Sequence, residues 1–143
     1  MAGLSVAMRK DMASPQRNNR LLIADDHLDS IETLSMLLES RCPGLTVDLA
    51  FDGVGAVERA LRLRPRGAVL DIDMPLMDGI EAARRIRGEL PASTCVLVGI
   101  SGGTDRVVEA RESGVFEAVF AKPVPIRSLL AVLDCEDITE GQT

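Results

Sequence analysis

The 143-residue chain contains no tryptophan and no tyrosine, and it has only three phenylalanines. Single-stranded nucleic acids stack their bases on aromatic side chains, so this composition argues against binding of that kind. The formal net charge is −6 at pH 7. An acidic surface repels nucleic acids and anionic membranes, whereas it attracts divalent cations and basic partners. We therefore expect that the chain binds no nucleic acid and no membrane.

Cysteine and histidine are also scarce. Cys42, Cys95 and Cys135 are far apart, and His27 is the single histidine, so no zinc-ligand pattern and no disulfide framework is indicated. Scattered thiols are typical of a reducing compartment. No apolar run reaches the ~20 residues that a membrane helix needs, and the N-terminus lacks the sustained apolar segment of a signal peptide. These absences predict a cytoplasmic protein.

What is present fits a single domain with two short tails, since one domain commonly takes roughly 100–200 residues. Residues 1–20 end in a polar stretch without apolar periodicity, which predicts a flexible N-terminal tail. Residues 135–143 are rich in acidic side chains and predict a loose C-terminal tail. The domain itself is predicted over residues 21–134.

Within residues 21–134, five short apolar runs alternate with five stretches of helical spacing. A continuous apolar run, as in residues 21–24, is typical of a strand buried on both faces. Residues 46–51 instead alternate polar and apolar side chains, which predicts a half-exposed edge strand. The pattern predicts an α/β fold, a doubly wound five-stranded parallel sheet with helices on both faces.

Polar side chains that could perform chemistry follow the ends of four predicted strands. Asp25 and Asp26 follow the first strand, Asp71 ends the third, Ser101 the fourth and Lys122 the fifth. Ligands of open α/β sheets bind at this edge, so we expect these groups to converge. Three converging carboxylates repel one another unless a hard cation such as Mg²⁺ balances them. A carboxylate so placed can act as a nucleophile toward phosphorus.

Four motifs in order identify a family resemblance: Asp25-Asp26, then DIDMPLMDG over residues 71–79, then Ser101-Gly102, then Lys122-Pro123. They closely resemble the receiver domain of two-component response regulators, over roughly residues 20–134. The resemblance implies a flavodoxin-like (βα)5 fold, like that of single-domain chemotaxis regulators, with strand order 2-1-3-4-5. That order places the second strand at an edge, in agreement with its alternating pattern.

The resemblance also implies a role for each acidic residue. Asp71 would be the phosphoacceptor. Asp25 and Asp26, together with Asp71, would hold Mg²⁺, and the backbone carbonyl of Asp73 would complete the protein ligands. Ser101 would then act as the switch hydroxyl that contacts the phosphoryl group.

Lys122 would pair with the phosphate. The family usually has an aromatic residue three positions before this lysine, but the chain has Val119 there. Alternation along the strand directs the neighbouring Phe120 to the opposite side. In the family this aromatic side chain usually rotates inward when the switch hydroxyl moves, and the sequence does not reproduce that part of the switch.

The implied partners are proteins. A sensor histidine kinase or a histidine phosphotransfer protein would donate the phosphoryl group, and output would pass by contact to a downstream protein. We expect a monomer or weak dimer. The predicted function is a signalling module rather than an enzyme, with only self-phosphorylation from phosphodonors and slow autodephosphorylation.

Two other functions remain open at this point. A haloacid-dehalogenase-like phosphatase also forms an aspartyl phosphate on a D-x-D motif, which Asp71 and Asp73 match. In that phosphatase family the metal-binding acidic residues normally come late in the chain, whereas here Asp25 and Asp26 precede Asp71. The sequence also leaves no room for a substrate cap. A receiver-like adaptor that works without phosphorylation is the other alternative, which Val119 keeps open. Ordinary structural roles also exist, since Ser101 could be a turn residue and His27 is interpreted as the start of a helix.

Overall fold

The structure is a computed structural model that describes residues 18–135 of the chain. Most of the predicted N-terminal tail and all but Cys135 of the predicted C-terminal tail lie outside the described residues. The described ends contact the domain: the side-chain amide of Asn18 donates to the carbonyl of Leu63 at 3.0 Å, and the N–H of Cys135 donates to the carbonyl of Leu130 at 2.9 Å. The first strand begins at Arg20, one residue before the predicted domain start.

Strands and helices alternate along the described chain. The strands are β1 (Arg20–Ala24), β2 (Thr46–Ala50), β3 (Gly67–Asp71), β4 (Val96–Ser101) and β5 (Ala118–Ala121). The helices are α1 (Leu28–Arg41), α2 (Gly53–Leu63), α3 (Gly79–Glu89), α4 (Thr104–Ser113) and α5 (Ile126–Val132). All strand pairs are parallel and their order is β2-β1-β3-β4-β5, which confirms the predicted fold class. No helix among residues 18–135 is long and apolar enough to cross a membrane.

Helices cover both faces of the sheet because side chains alternate along each strand. In β1, Leu22 and Ala24 pack into a core with residues of α2 and α3, whereas Leu21 and Ile23 pack into a second core with residues of α1 and α5. All five residues of β3 are buried, as a central strand requires. Residues of β2 are mostly half-exposed, so the edge position predicted from its alternation is confirmed.

The helix starts bring backbone close to the carboxyl ends of the strands. Asp78 caps α3, since its carboxylate accepts the N–H of Glu81 at 2.9 Å. The next residue, Gly79, lies against β3: a Cβ atom here would be 2.5 Å from the carbonyl oxygen of Asp71. The glycine therefore allows α3 to begin directly beside the end of the strand that carries Asp71.

Candidate functional site

Four of the predicted site residues lie at the carboxyl edge of the sheet, on adjacent strands. Asp25 follows β1, Asp71 ends β3, Ser101 ends β4 and Lys122 follows β5. Asp25 and Asp71 are each only 1 % exposed, and Ser101 is completely buried. Buried polar side chains need partners, because an unpaired polar or charged group in the interior costs free energy.

Lys122 joins the two buried carboxylates. Its Nζ atom lies 3.0 Å from Oδ2 of Asp25 and 3.1 Å from Oδ2 of Asp71. The other oxygen of each carboxylate accepts a backbone N–H, from His27 to Asp25 at 2.9 Å and from Asp73 to Asp71 at 3.0 Å. Both carboxylates are thus held in place by one ammonium group and by the loops that follow their own strands.

The two carboxylates differ in acidity although they share the same lysine. Burial raises the pKa of Asp71 to about 6, with a further contribution from the negative charge of Asp25, while the N–H of Asp73 and the ammonium of Lys122 act in the opposite direction. Burial also opposes ionisation of Asp25, but the N–H of His27 and the ammonium group outweigh it and lower the pKa of Asp25 below its ordinary value. Asp25 is therefore the ionised partner, and Asp71 the carboxylate that takes up a proton more readily.

A metal ion fits the donor atoms that meet at this edge. Ligand atoms of Asp25, Asp26, His27 and Asp71 lie within 4.8 Å of one another. The three carboxylates supply the oxygen ligands that Mg²⁺ prefers, and Asp26 is exposed, which leaves one side of the cluster open to water and to a phosphate. The acidic cluster is thus compatible with Mg²⁺.

His27 is the N-cap residue of α1, in agreement with the helix start that the sequence predicted there. The structure adds a contact that the sequence did not reveal. The imidazole Nδ1 lies 3.1 Å from Oδ1 of Asp25 and 3.2 Å from Oδ1 of Asp26. The ring therefore lies against the acidic pair on the solvent side of the cluster.

Ser101 contacts the carboxylate of Asp73, a contact that the sequence did not predict. Its Oγ atom donates to Oδ2 of Asp73 at 2.9 Å and accepts the N–H of Gly103 at 3.1 Å. Oδ1 of the same Asp73 accepts from Nε of Arg106 at 3.0 Å. Sequence reasoning missed Arg106; its position in the first turn of α4, just after the Gly102-Gly103 loop, was the available signal.

Val119 and Phe120 face opposite sides of the sheet. Val119 is buried in a small cluster with Val107 and Ala110 of α4, and Phe116 packs against that cluster. Phe120 packs instead against the core formed with α1 and α5. The side of β5 that faces α4 therefore presents valine where the family usually has an aromatic side chain.

Comparison with known proteins gives a consistent family. The chain matches the response regulator receiver domain over residues 21–134. Over 79 residues it is 46 % identical to protein-glutamate methylesterase/protein-glutamine glutaminase 4 of Myxococcus xanthus (strain DK1622), an alignment that covers 54 % of this chain and 22 % of that protein. Over 113 residues it is 34 % identical to the transcriptional regulatory protein PrrA of Mycobacterium leprae (strain TN), covering 78 % of this chain and 47 % of that protein. The chain thus spans less than half the length of these relatives.

Solved structures agree with the sequence matches. The response regulator domain of Thermotoga maritima CheB is 31 % identical, with a TM-score of 0.63 over 73 % of this chain and 78 % of that chain. A LuxR-family two-component response regulator from Aurantimonas sp. SI85-9A1 is 26 % identical, with a TM-score of 0.68 over 82 % of this chain and 86 % of that chain. The match over residues 21–134, together with the observed strand order, shows that this chain belongs to the response regulator receiver domain family.

Proposed function

We propose that Asp71 is the phosphoacceptor of this receiver domain. The observation that carries the proposal is the position of Lys122, whose ammonium contacts both Asp25 and Asp71 at the carboxyl edge of the sheet. This cation lies where negative charge develops on a phosphoryl group attached to Asp71. Preorganised positive charge of this kind is most of what phosphoryl transfer requires from a protein.

In the proposed reaction, a carboxylate oxygen of Asp71 attacks the phosphorus of a phosphohistidine on a donor protein. A P–O bond forms, the P–N bond breaks, and its electron pair remains on the imidazole of the donor. Bound Mg²⁺, held by Asp25, Asp26, Asp71 and the backbone carbonyl of Asp73, would neutralise charge on the phosphoryl oxygens. The three donor hydrogens of Lys122 allow it to contact Asp25 and a phosphoryl oxygen together. The N–H of Asp73 fixes the orientation of Asp71 for the attack.

The donor in this proposal is a sensor histidine kinase or a histidine phosphotransfer protein, and the output is contact with a downstream protein. The relatives differ in their outputs, since their names describe a methylesterase and a transcriptional regulator. They share with this chain only a part of their length, so the receiver is the common element. We infer that this chain acts by protein contact in the cytoplasm, as a monomer or weak dimer, and turns over no substrate apart from its own phosphoryl group.

The test is intact mass after incubation with acetyl phosphate and Mg²⁺. The wild-type chain is expected to gain one phosphoryl group only when Mg²⁺ is present, and Asp71→Asn is expected to gain none. Asp29→Asn serves as the matched control, because it removes an exposed carboxylate from the first turn of α1. Its adduct should form as in the wild type.

Three results would contradict the proposal. An adduct that persists in Asp71→Asn would place the phosphoryl group on another residue. No adduct on a folded wild-type chain, with Mg²⁺ present and hydrolysis quenched early, would favour an adaptor that works without phosphorylation. Steady release of phosphate from a simple phosphomonoester would instead indicate a phosphatase.

A further inference from the structure

The hydroxyl group of Ser101 has one hydrogen to donate, and the structure shows where it goes. Ser101 is completely buried, and its Oγ lies 2.9 Å from Oδ2 of Asp73. A hydroxyl donates one hydrogen bond at a time. Contact with a phosphoryl oxygen on Asp71 therefore requires that Ser101 first give up Asp73.

Lys122 is in a different situation. It already contacts Asp25 at 3.0 Å and Asp71 at 3.1 Å, and its ammonium has a third hydrogen to donate. Phosphorylation of Asp71 thus adds a partner to Lys122 without removing one. Of these two phosphate-contacting groups, only Ser101 must exchange one acceptor for another.

Arg106 holds the carboxylate that Ser101 must leave. Its Nε donates to Oδ1 of Asp73 at 3.0 Å, and its Nη2 donates to Oδ2 of Asp78 at 3.2 Å, while Nη1 pairs with Glu109. The guanidinium thereby connects α4 to the loop between β3 and α3. A planar, forked cation suits such a bridge, because it presents several donors in fixed directions.

The ion pairs themselves contribute little to folding, since the side chains of Arg106 and Asp73 are 30 % and 49 % exposed and exposed pairs are screened by water. Their geometric effect is larger. With Oδ1 bound to Arg106, the other oxygen of Asp73 is directed at a buried hydroxyl. A hydrogen bond from a hydroxyl to a charged carboxylate is stronger than one between neutral groups.

We propose that Asp73 and Arg106 are positioning residues that hold the hydroxyl of Ser101 away from Asp71 until a phosphoryl group competes for it. This Ser101–Asp73–Arg106 latch rests on the proposed phosphorylation of Asp71. The latch sets the ratio between two conformations of the β4–α4 loop, one in which Asp73 holds Ser101 and one in which Ser101 is released. It therefore also sets how much of the free energy of the interaction with the phosphoryl group is used to move that loop. A ligand shifts such an equilibrium only by its difference in affinity for the two states.

The test uses the phosphoryl analogue formed by beryllium fluoride and Mg²⁺, with the amide signal of Gly103 as the NMR probe. This N–H donates to Oγ of Ser101, so its chemical shift reports where the hydroxyl lies. The wild-type signal without and with the analogue defines a held and a released position. In Asp73→Ala, without the analogue, the ratio of released to held chains should rise about tenfold, because the charged acceptor is gone. Asp73→Asn retains an acceptor oxygen and should lie between the wild type and Asp73→Ala.

Arg106→Gln gives the sharper result, because two explanations predict opposite changes in the affinity for beryllium fluoride. Loss of a cation beside an anion site should by itself weaken binding of the anionic analogue. The latch predicts the reverse: about threefold tighter binding of beryllium fluoride, since less of its affinity is used to release Ser101. Without beryllium fluoride, the Gly103 signal of Arg106→Gln should lie on the straight line in the spectrum that joins the held and released positions, as that of Asp73→Ala does. A shift off that line would indicate a local disturbance without release.

Arg85→Gln is the matched control, since it removes another exposed arginine whose partner is Glu81, on α3. It should change neither the Gly103 signal nor the affinity for the analogue. Weaker or unchanged binding in Arg106→Gln, with a wild-type Gly103 signal, would overturn the latch alone. If the wild-type chain itself shows no response to beryllium fluoride and gains no phosphoryl group, the proposed function fails, and the latch falls with it.

Discussion

Asp25 and Asp71 show how strongly a local environment changes a single residue type. Both carboxylates are buried, and both contact Lys122. The two pKa values nevertheless move apart, with that of Asp25 lowered and that of Asp71 raised to about 6. Burial raises the pKa of Asp71 and the negative charge of Asp25 adds to that rise, whereas at Asp25 the N–H of His27 and the ammonium of Lys122 outweigh burial. The proposed nucleophile, Asp71, is thus the carboxyl group whose ionised form the site destabilises, and a bound cation would reduce that destabilisation.

This difference predicts how Asp71→Asn affects stability in metal-free buffer. A carboxyl group whose pKa rises on folding from 3.8 to about 6 stabilises the fold below pH 3.8, and that contribution is lost as the pH rises through about 6. The neutral asparagine has no such loss. Asp71→Asn should therefore become more stable than the wild type between pH 4 and pH 7, by about 3 kcal/mol at most. Urea unfolding followed by far-UV circular dichroism measures it, since the chain has no tryptophan or tyrosine.

The control for this prediction is Asp29→Asn, which removes an exposed carboxylate. It should not show the gain in stability over the wild type that is expected of Asp71→Asn in the same pH range. Addition of Mg²⁺ should raise the urea midpoint of the wild type at pH 7 and reduce the advantage of Asp71→Asn, because a ligand that binds only the folded state stabilises it. An Asp71→Asn variant that is less stable than the wild type at pH 7 without metal would contradict the argument.

At the scale of elements, the sequence predicted the fold and the edge that carries the site. Periodicity is a local property, so the alternation of apolar runs with stretches of helical spacing predicted the order of strands and helices that the described residues show. Strand ends were predicted to within one residue, and the strand order followed from the family resemblance. Because carboxyl ends of parallel strands share an edge, convergence of Asp25, Asp71 and Lys122 was also predictable.

The contacts that the sequence did not predict depend on rotamers and on close approach. Arg106 has a long, flexible side chain, so its bridge from α4 to Asp73 follows from no spacing rule. Ser101 was placed at the correct strand end, but which acceptor it binds depends on where the loop after β3 lies. In the sequence, Gly79 is only the last residue of the motif over residues 71–79, and the folded structure is needed to show that it lies against the backbone of Asp71.

Gly79 supports a prediction about the junction of α3 with β3. A Cβ atom there would lie 2.5 Å from the carbonyl oxygen of Asp71 and 2.8 Å from Cα of Ile72, both backbone atoms that cannot rotate away. Gly79→Ala should therefore destabilise the fold by about 1–3 kcal/mol, as overpacking does. Displacement of Asp71 should also slow formation of its phosphoryl adduct. Urea unfolding and intact mass measure the two effects.

Gly88→Ala is a control in the same helix. Gly88 is exposed, and an added Cβ would meet nothing within 4 Å. Alanine is the better helix former, so this variant should be more stable than the wild type by up to about 1 kcal/mol. Equal effects of the two substitutions would show that the close approach at Gly79 carries no energetic weight.

At the scale of the whole molecule, one sheet serves two cores. Adjacent residues of β1 belong to opposite cores, with Leu22 on the side of α2 and α3 and Leu21 on the side of α1 and α5. A strand cannot leave one core and remain in the other. The two faces should therefore unfold together, as is common for single domains under 150 residues.

Two buried thiols allow this cooperativity to be measured on each face. Cys95 lies in the core with Leu22, and Cys42 lies in the core with Leu21. In a urea series with a thiol-labelling pulse, followed by digestion and mass spectrometry, both cysteines should become labelled at the same urea concentration. Leu21→Ala and Leu22→Ala should each lower that midpoint, at a cost of about 2–5 kcal/mol for a buried leucine. In each variant the two thiols should still respond together. Labelling of Cys42 in Leu21→Ala at urea concentrations that leave Cys95 protected would show instead that the helices on one face separate from a sheet that remains folded on the other.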